Sequence, residues 1–331
     1  MSKLSVSVAI AVYNSTRYLK PQLDSILAQT RLPDEVVFVD DCSTDATVAE
    51  LEKWKAQAPF DVRVVCNERN LGCTKNFSKA LGLCTKDVVI VSDSDDVWEP
   101  DRIETCLNRF ESDSSLGLIT GNAKLIDGAG EFQNMYLDEY LTRMHVREFW
   151  RYFYPLKSPM TVWTGCTMAV RKTILDSVLP VPDQLACHDI WIYLLAPLCG
   201  KVEYVNQPLI SYRLHGKNYS TAPTVEQLRN DPPKWRYFNT VIDTLATHPL
   251  LIESLIDRAK SLPKSARYVK QLERQKRHFD ARRAIQTNAL TGFAALLKEL
   301  VLPGGYFCHA QPVRSILYDL IEGLGLRKSR N

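Results

Sequence analysis

The chain lacks any run of about 18 consecutive apolar residues, so no membrane-spanning helix is expected. It also lacks a Cys-x-x-Cys pair, which removes the common structural zinc sites and the dithiol redox motif from consideration. Its nine cysteines are an odd number spread through apparent strands and helices, and they read as reduced, mostly buried thiols in a cytosolic compartment. Internal repeats and low-complexity segments are missing, which excludes fibrous and disordered classes. Excess charge is scarce: a net charge of +3 is too slight to suggest duplex nucleic acid, and no nucleic-acid partner is expected. The opening MSKLSVSVAIAVYN holds a short apolar stretch, but Tyr13 and Asn14 close it without a small-residue cleavage site, so no signal peptide is expected.

What is present is ordinary globular composition, 45% hydrophobic and 24% charged over 331 residues, enough for one large domain and an appendage. As far as Ser112, short β-branched runs alternate with amphipathic stretches, the rhythm of a parallel sheet with helices on its faces. Strands are expected over Ser5 to Val12, Glu35 to Val39, Val62 to Cys66 and Asp87 to Val91. Leu19, Leu23, Ile26 and Leu27 recur at helical spacing, with Pro21 read as a first-turn proline. Further helices are expected over Thr74 to Leu83 and from near Pro100. After Leu116 the pattern loosens into strands over Leu116 to Ile126 and Thr161 to Val170, a helix from Asp189 to Cys199, and strands over Lys201 to Val205 and Leu209 to Tyr212. From Val225 the chain reads as helical and basic, with Arg274, Lys276, Arg277, Arg282 and Arg283. The expected division is a domain over 1–220 and a helical region over 221–331.

Strands followed by helices in this order align the strands' carboxyl ends along one edge, where open α/β sheets bind ligands. In VVIVSDSDDVWEPDRI a buried strand ends and at once presents Asp93, Asp95 and Asp96. Three carboxylates repel one another there unless something positive sits among them. Mg²⁺ and Mn²⁺ take oxygen ligands, and Mg²⁺ sites commonly join one or two carboxylates to substrate phosphates. A solvated acidic turn is the plainer reading of the same residues. A second acidic strand end, EVVFVDDCSTDAT, presents Asp40 and Asp41 before a helix-capping Ser/Thr/Asp stretch; these carboxylates suit either a cap or a base and ribose.

The succession SVAIAVYN, VVFVDDCSTD, RNLG with Asn76 just beyond, and SDSDDVWEPD resembles the family 2 inverting glycosyltransferases of GT-A fold, over about the first 215 residues. The resemblance implies an α/β fold, a Rossmann-like mixed sheet flanked by helices, followed by the helical C-terminal region. It implies a nucleoside-diphosphate sugar donor, with Asp41 on the base, Asp40 beside it, and Asn70 and Asn76 in the same site. Asp93 to Asp95 would form the DxD element, with Asp95 a direct ligand of Mg²⁺ or Mn²⁺ and Asp93 toward ribose or metal. TGCTMAVRK is similar to the strand and turn under the sugar, with Arg171 toward the diphosphate, and ACHDIW to the acidic element that supplies the base, here Asp189. His188 departs from the Glu-Asp pair of most relatives and is expected to orient Asp189 or the acceptor, alongside Trp163 and Trp191. The HDIW and YRLHGKN segments resemble rhamnosyltransferase-like members, in which setting His215 completes the metal and diphosphate site. Taken alone, a histidine in a polar loop is usually just solvated. The implied donor is dTDP-L-rhamnose, with UDP-hexoses next. The implied acceptor is a glycan or lipid-linked saccharide of a bacterial surface polysaccharide of O-antigen or capsule type, at the cytoplasmic membrane face.

The chemistry supports a base independently of the resemblance. A sugar hydroxyl is a poor nucleophile at neutral pH, and one positioned carboxylate that accepts its proton raises the rate by roughly 10²–10⁴-fold. Attack opposite the leaving diphosphate inverts the anomeric centre. Rival readings stay open. A retaining hydrolase needs two close carboxylates, which Asp93 and Asp95 imitate, but it leaves the nucleotide-type strand ends unexplained. A nucleotidyltransferase would show a Gly-rich basic loop where this chain reads YNSTRYLKP, and a non-catalytic carbohydrate-binding relic would not need Asp95, Asp189 and His215 intact. Trp150, Tyr152, Phe153, Tyr154 and Trp163 read either as core or as an acceptor platform. The basic C-terminal helices read either as a solvated face or as a peripheral contact with anionic lipid, and Leu290 to Leu302 as an anchor or a homodimer contact.

Overall fold

The computed structural model describes residues 3–143, 164–183, 185, 188–216, 218, 223–230 and 249–287. The chain divides into two compact units, one built from 1–144 with 158–233, the other from 145–157 with 234–331.

In the first unit the elements run β1 (Val6–Val12), α1 (Thr16–Leu27), β2 (Glu35–Asp40), α2 (Thr47–Lys55), β3 (Asp61–Cys66), α3 (Cys73–Leu83), β4 (Val88–Ser92), β5 (Val97–Trp98), α4 (Arg102–Ser112), β6 (Leu116–Ile126), β7 (Phe132–Tyr136) and α5 (Leu137–Arg143). A 3₁₀ turn (Gly165–Thr167), β8 (Ala169–Arg171), α6 (Lys172–Val178), α7 (His188–Leu195), a 3₁₀ turn (Ala196–Leu198), β9 (Lys201–Arg213) and α8 (Val225–Asn230) follow. The nine described strands form one mixed sheet in the order β3-β2-β1-β4-β8-β6-β9-β5, with β7 on β6. This is the α/β architecture the β-branched runs predict. β2 and β4 are buried throughout and β1 everywhere but Ala11, as parallel strands covered by helices must be.

Several sequence expectations change in detail. Pro21 lies inside α1, beyond its first turn, on the exposed face; its missing N–H leaves the Arg17 carbonyl without the usual helical donor. Of the strand expected over Thr161 to Val170, the described residues form a strand only over Ala169–Arg171, because Gly165–Thr167 winds into a 3₁₀ turn; 161–163 lie outside the described residues. The helix expected to reach Cys199 stops as α-helix at Leu195, just before Pro197. The two strands expected after Lys201 are one strand with a bulge: Val205 pairs with Gly121, Pro208 with Asn122 and Ile210 with Ala123, so Asn206, Gln207 and Leu209 are extra residues. Gly121 makes room for the bulge, since a Cβ there would come 2.3 Å from Leu209 Cδ1. The described cysteines are free thiols; Cys84, Cys106 and Cys166 are buried as expected, whereas Cys66 is exposed.

Glu35 ties the amino end of the sheet. It accepts from Ser7 of β1, from Arg63 of β3 and from both the backbone and hydroxyl of Thr85 before β4. Burial opposes ionisation of this carboxyl, but those donors outweigh it and its pKa is lowered. In the second unit α9 (Pro249–Lys260) and α10 (Ala266–Thr287) bury Ile252, Leu255, Ala259, Tyr268 and Leu272, and Lys276 pairs with Glu253 at 3.2 Å. No helix among the described residues is long and apolar enough to cross a membrane. The stretch over 290–302 lies outside the described residues, as do Trp150, Tyr152, Phe153, Tyr154 and Trp163.

Two outcomes check this frame. Gly121→Val overpacks the β6–β9 bulge and lowers unfolding free energy by about 1–3 kcal/mol in urea melts; adding Leu209→Ala restores part of the loss. Glu35→Gln destabilises at pH 7, and its gap to wild type narrows as pH falls below about 4, because a carboxyl with a lowered folded pKa contributes stability only above that range.

Candidate active site

β2, β1 and β4 end side by side at Asp40, Val12 and Ser92. Strand order reverses at β1, with β2 and β3 to one side and β4 to the other, and such a reversal opens a crevice at the carboxyl edge. On the β2 side, Asp41 is buried and its carboxylate is engaged internally. Oδ1 accepts from the Leu71 N–H at 2.7 Å and Asn67 Nδ2 at 2.8 Å, and Oδ2 from the Gly72 N–H at 2.8 Å. Asn70 donates to the Asp41 carbonyl at 3.0 Å, and Asn76 to the Val39 carbonyl at 2.8 Å. Asp41, Asn70 and Asn76 therefore hold the 67–72 loop onto β2 and α3. Asp40 accepts from the Ser43 N–H through Oδ2 at 3.0 Å, while its Oδ1 is buried without a hydrogen-bond donor.

On the β4 side the acidic loop is clamped from beneath. Ser92 Oγ accepts from Gln22 of α1 and from the Trp98 indole, each at 3.0 Å. Arg102 lies buried under the loop, 4.0 Å over the Trp98 ring, and donates to the carbonyls of Val91 at 2.9 Å and Cys166 at 2.6 Å. Burial lowers its pKa only to about 10, so it remains a cation at neutral pH. Asp96 is fully buried; Oδ1 accepts the Arg213 N–H at 2.9 Å and Oδ2 has no donor. Burial and the charges of Asp95 and Asp93 hold its pKa well above the usual carboxylate range. Asp93 is pushed up to about 8, by burial first and then by the charges of Asp95 and Asp189, against the pull of Arg102. Asp95 and Asp189 thus act on one carboxyl and share one electrostatic neighbourhood.

Asp95 Oδ2 lies 2.9 Å from His215 Nε2, and the Arg213 Nε donates to the Asp95 carbonyl at 2.7 Å. The donor set fits a divalent cation. One carboxylate oxygen and one imidazole nitrogen at that separation match adjacent corners of a coordination sphere with bonds of about 2.1 Å. Ligand atoms of Asp93, Asp96 and Cys166 cluster within 4.8 Å of one another just below. Asp189 opens α7. Its Oδ2 accepts the Gly165 N–H at 3.0 Å and its Oδ1 the Ile190 N–H at 2.8 Å, which fixes the carboxylate's orientation. Gly165 allows this approach, because a Cβ there would stand 2.9 Å from His188 Nε2 and 3.3 Å from Asp189 Cβ.

Residues 7–178 match the family described as Glycosyl transferase family 2. The chain belongs to that family. It is 31% identical over 226 residues to an uncharacterised glycosyltransferase of Nostoc sp., covering 65% of this chain and 66% of that one. It is 29% identical over 247 residues to the chondroitin synthase of Escherichia coli, covering 73% of this chain and 32% of the synthase. The fold is similar to that of S. aureus TarS 1-349 in complex with UDP, with TM-score 0.51 at 20% identity over 84% of this chain and 87% of that one. The complex of the same protein with UDP-GlcNAc is similar to the same degree, TM-score 0.51 at 21% identity over 85% and 88%.

Within this family 2 domain, not every sequence-predicted residue reaches the crevice. Arg171 is a correction. β8 runs antiparallel to β4 and pairs Arg171 with Val88, so Arg171 sits at the opposite end of β4 from Asp93, about 15 Å away along the strand. Its guanidinium donates to the carbonyls of Leu116 at 2.6 Å and Phe110 at 2.8 Å and does not face a diphosphate. Trp191 is buried and gives its indole N–H to the Val178 carbonyl at 2.7 Å. His188 is buried, stacked on Phe77 at 3.9 Å, with its pKa lowered by burial and its Nε2 lacking a partner. Trp163 lies outside the described residues. The residues that sequence reasoning missed are Arg102, Cys166, Arg213 and Tyr18. Arg213 lies inside YRLHGKN, Arg102 inside VVIVSDSDDVWEPDRI, Cys166 inside TGCTMAVRK and Tyr18 inside YNSTRYLKP, so each stood in a segment already singled out but without a signal of its own.

Arg171→Met should lower stability by about 1–3 kcal/mol, as buried carbonyls lose their donors. Nucleotide affinity measured by calorimetry should stay at the wild-type value.

Proposed function

We propose that this family 2 protein is an inverting glycosyltransferase that moves a sugar from a nucleoside-diphosphate donor to a hydroxyl of a bacterial surface glycan. The observation that carries the reading is the meeting of Asp93, Asp95, His215 and Asp189 at the carboxyl edge of a switch-point sheet. Asp189, aimed by the N–H groups of Gly165 and Ile190, takes the proton of the attacking hydroxyl. Asp95 and His215 would hold Mg²⁺ or Mn²⁺, and Asp93 would add its carboxylate to the same acidic loop. An ion bound there supplies electrostatic stabilisation to the departing diphosphate. Asp40 receives a donor group of the nucleotide at its unpartnered Oδ1, while Asp41, Asn70 and Asn76 keep the bordering loop in place.

The chondroitin synthase and TarS relationships support a polymer-linked acceptor and a UDP-type donor. The HDIW and YRLHGKN segments favour dTDP-L-rhamnose. The exposed face of α10 presents Arg267, Lys270, Arg274 and Arg277 in one stripe opposite buried Tyr268 and Leu272, which suits peripheral contact with an anionic membrane surface on the cytoplasmic side.

A thermal-shift panel of dTDP-rhamnose, UDP-glucose, UDP-galactose, UDP-N-acetylglucosamine and GDP-mannose, each with and without Mn²⁺, names the donor by stabilising the native state. Asp95→Ala should remove the metal-dependent part of that shift. Asp189→Asn should lower turnover by about 10²-fold or more while donor binding persists; unchanged turnover would sink the assigned base.

A further inference from the structure

The His215 ring does not stand in a polar loop by itself. It stacks on the Tyr18 ring with centroids 4.8 Å apart and planes 24° from parallel, and its side chain is only 11% exposed. The same Tyr18 ring carries the Arg213 guanidinium at 4.9 Å, and Arg213 in turn donates to the carbonyls of Asp95 at 2.7 Å and Asp127 at 3.1 Å. Tyr18 belongs to the first turn of α1, on a different stretch of chain from every acidic residue of the site. The Asp127 turn closes the arrangement from the other side. A Cβ at Gly128 would stand 3.3 Å from the Tyr18 hydroxyl and 3.6 Å from His215 Cβ, so that glycine leaves the slot in which the two rings lie.

We propose that Tyr18 is the positioning residue of the cation site: its ring, seated on Arg213 and bordered by Gly128, holds the His215 imidazole with Nε2 toward Asp95. This rests on the reading of Asp95 and His215 as the metal pair, and it adds a residue from α1 that acts through the imidazole. The physical argument is rotational. An imidazole on a loop loses freedom about two side-chain torsions when it coordinates, and an aromatic face stacked on one side removes much of that freedom in advance. Partners that orient a metal-ligating histidine typically contribute about 10–100-fold in metal affinity. The hydroxyl of Tyr18 has no part in the role, so phenylalanine should serve.

The test is Mn²⁺ affinity of the full chain without donor, read as loss of the free-ion electron paramagnetic resonance signal, for wild type and for Tyr18→Phe, Tyr18→Leu, Gly128→Val, His215→Ala and Tyr18→Leu/His215→Ala. Tyr18→Phe should bind as wild type. Tyr18→Leu and Gly128→Val should weaken Mn²⁺ by about tenfold or more. The double variant should bind no more weakly than His215→Ala, because the ring acts through the imidazole. Tyr18→Leu with wild-type Mn²⁺ affinity while His215→Ala is weakened would overturn the positioning role and leave the metal pair standing. A His215→Ala that binds as wild type would overturn the metal pair itself, and the role of Tyr18 with it. If Tyr18→Leu fails to fold by circular dichroism, Gly128→Val decides the same question from the other side of the slot.

Discussion

Three aspartates leave the end of one strand within four residues, and the mutual repulsion of their carboxylates is the constraint around which the catalytic unit is built. Two arginines answer it from opposite sides. Arg102 lies buried beneath the loop with its charge intact, held by the Val91 and Cys166 carbonyls and the Trp98 face. Arg213 comes from β9 and binds Asp96 through its backbone N–H and Asp95 through the peptide carbonyl, leaving the Asp95 carboxylate turned toward His215. Each arginine binds backbone carbonyls of the loop or its neighbours rather than the carboxylates, and offsets their field at a short remove.

This arrangement sorts three adjacent acids into different states. Asp96, sealed in and close to two like charges, is held well above the usual carboxylate range, and Asp93 is raised to about 8. Asp95 alone points its carboxylate at an imidazole. The loop's path between β4 and β5 seals Asp96 in and leaves Asp93 and Asp95 partly exposed. Gln22, Ser92 and Trp98 then fix that path to α1, so the helix after the first strand and the acids after the fourth behave as one piece.

The parallel half of the sheet was legible in the sequence because β-branched runs such as VVFV and VVIV are buried on both faces and leave little else for the chain to do. Asp95, Asp189 and His215 could be singled out as candidates because each lies in a short segment that resembles a family pattern. Arg171 was misread for a reason of direction: a motif gives residue type and spacing but not which way its strand runs, and β8 runs against β4. Asp41 presented a similar limit, since whether a carboxylate faces a ligand or the N–H groups of Leu71 and Gly72 depends on a loop closing thirty residues later. Arg102 and Tyr18 stand inside segments the sequence singles out, but they act through contacts with residues far along the chain, which neighbouring letters do not specify.

The bulge in β9 separates that strand into two mechanical parts. From Lys201 to Val205 it pairs with the first half of β6, which leaves Gly117 over, while from Pro208 to Arg213 it pairs with Asn122 to Ile126 and leaves Leu209 over. Side chains alternate faces along a strand, so the orientation of Tyr212 and Arg213 is counted from the bulge and not from the strand's start. Asn206 and Gln207 are exposed at this break. The aim of Arg213 at the acids is therefore set by the pairing after the break, where β9 is held between β6 on one side and β5 on the other.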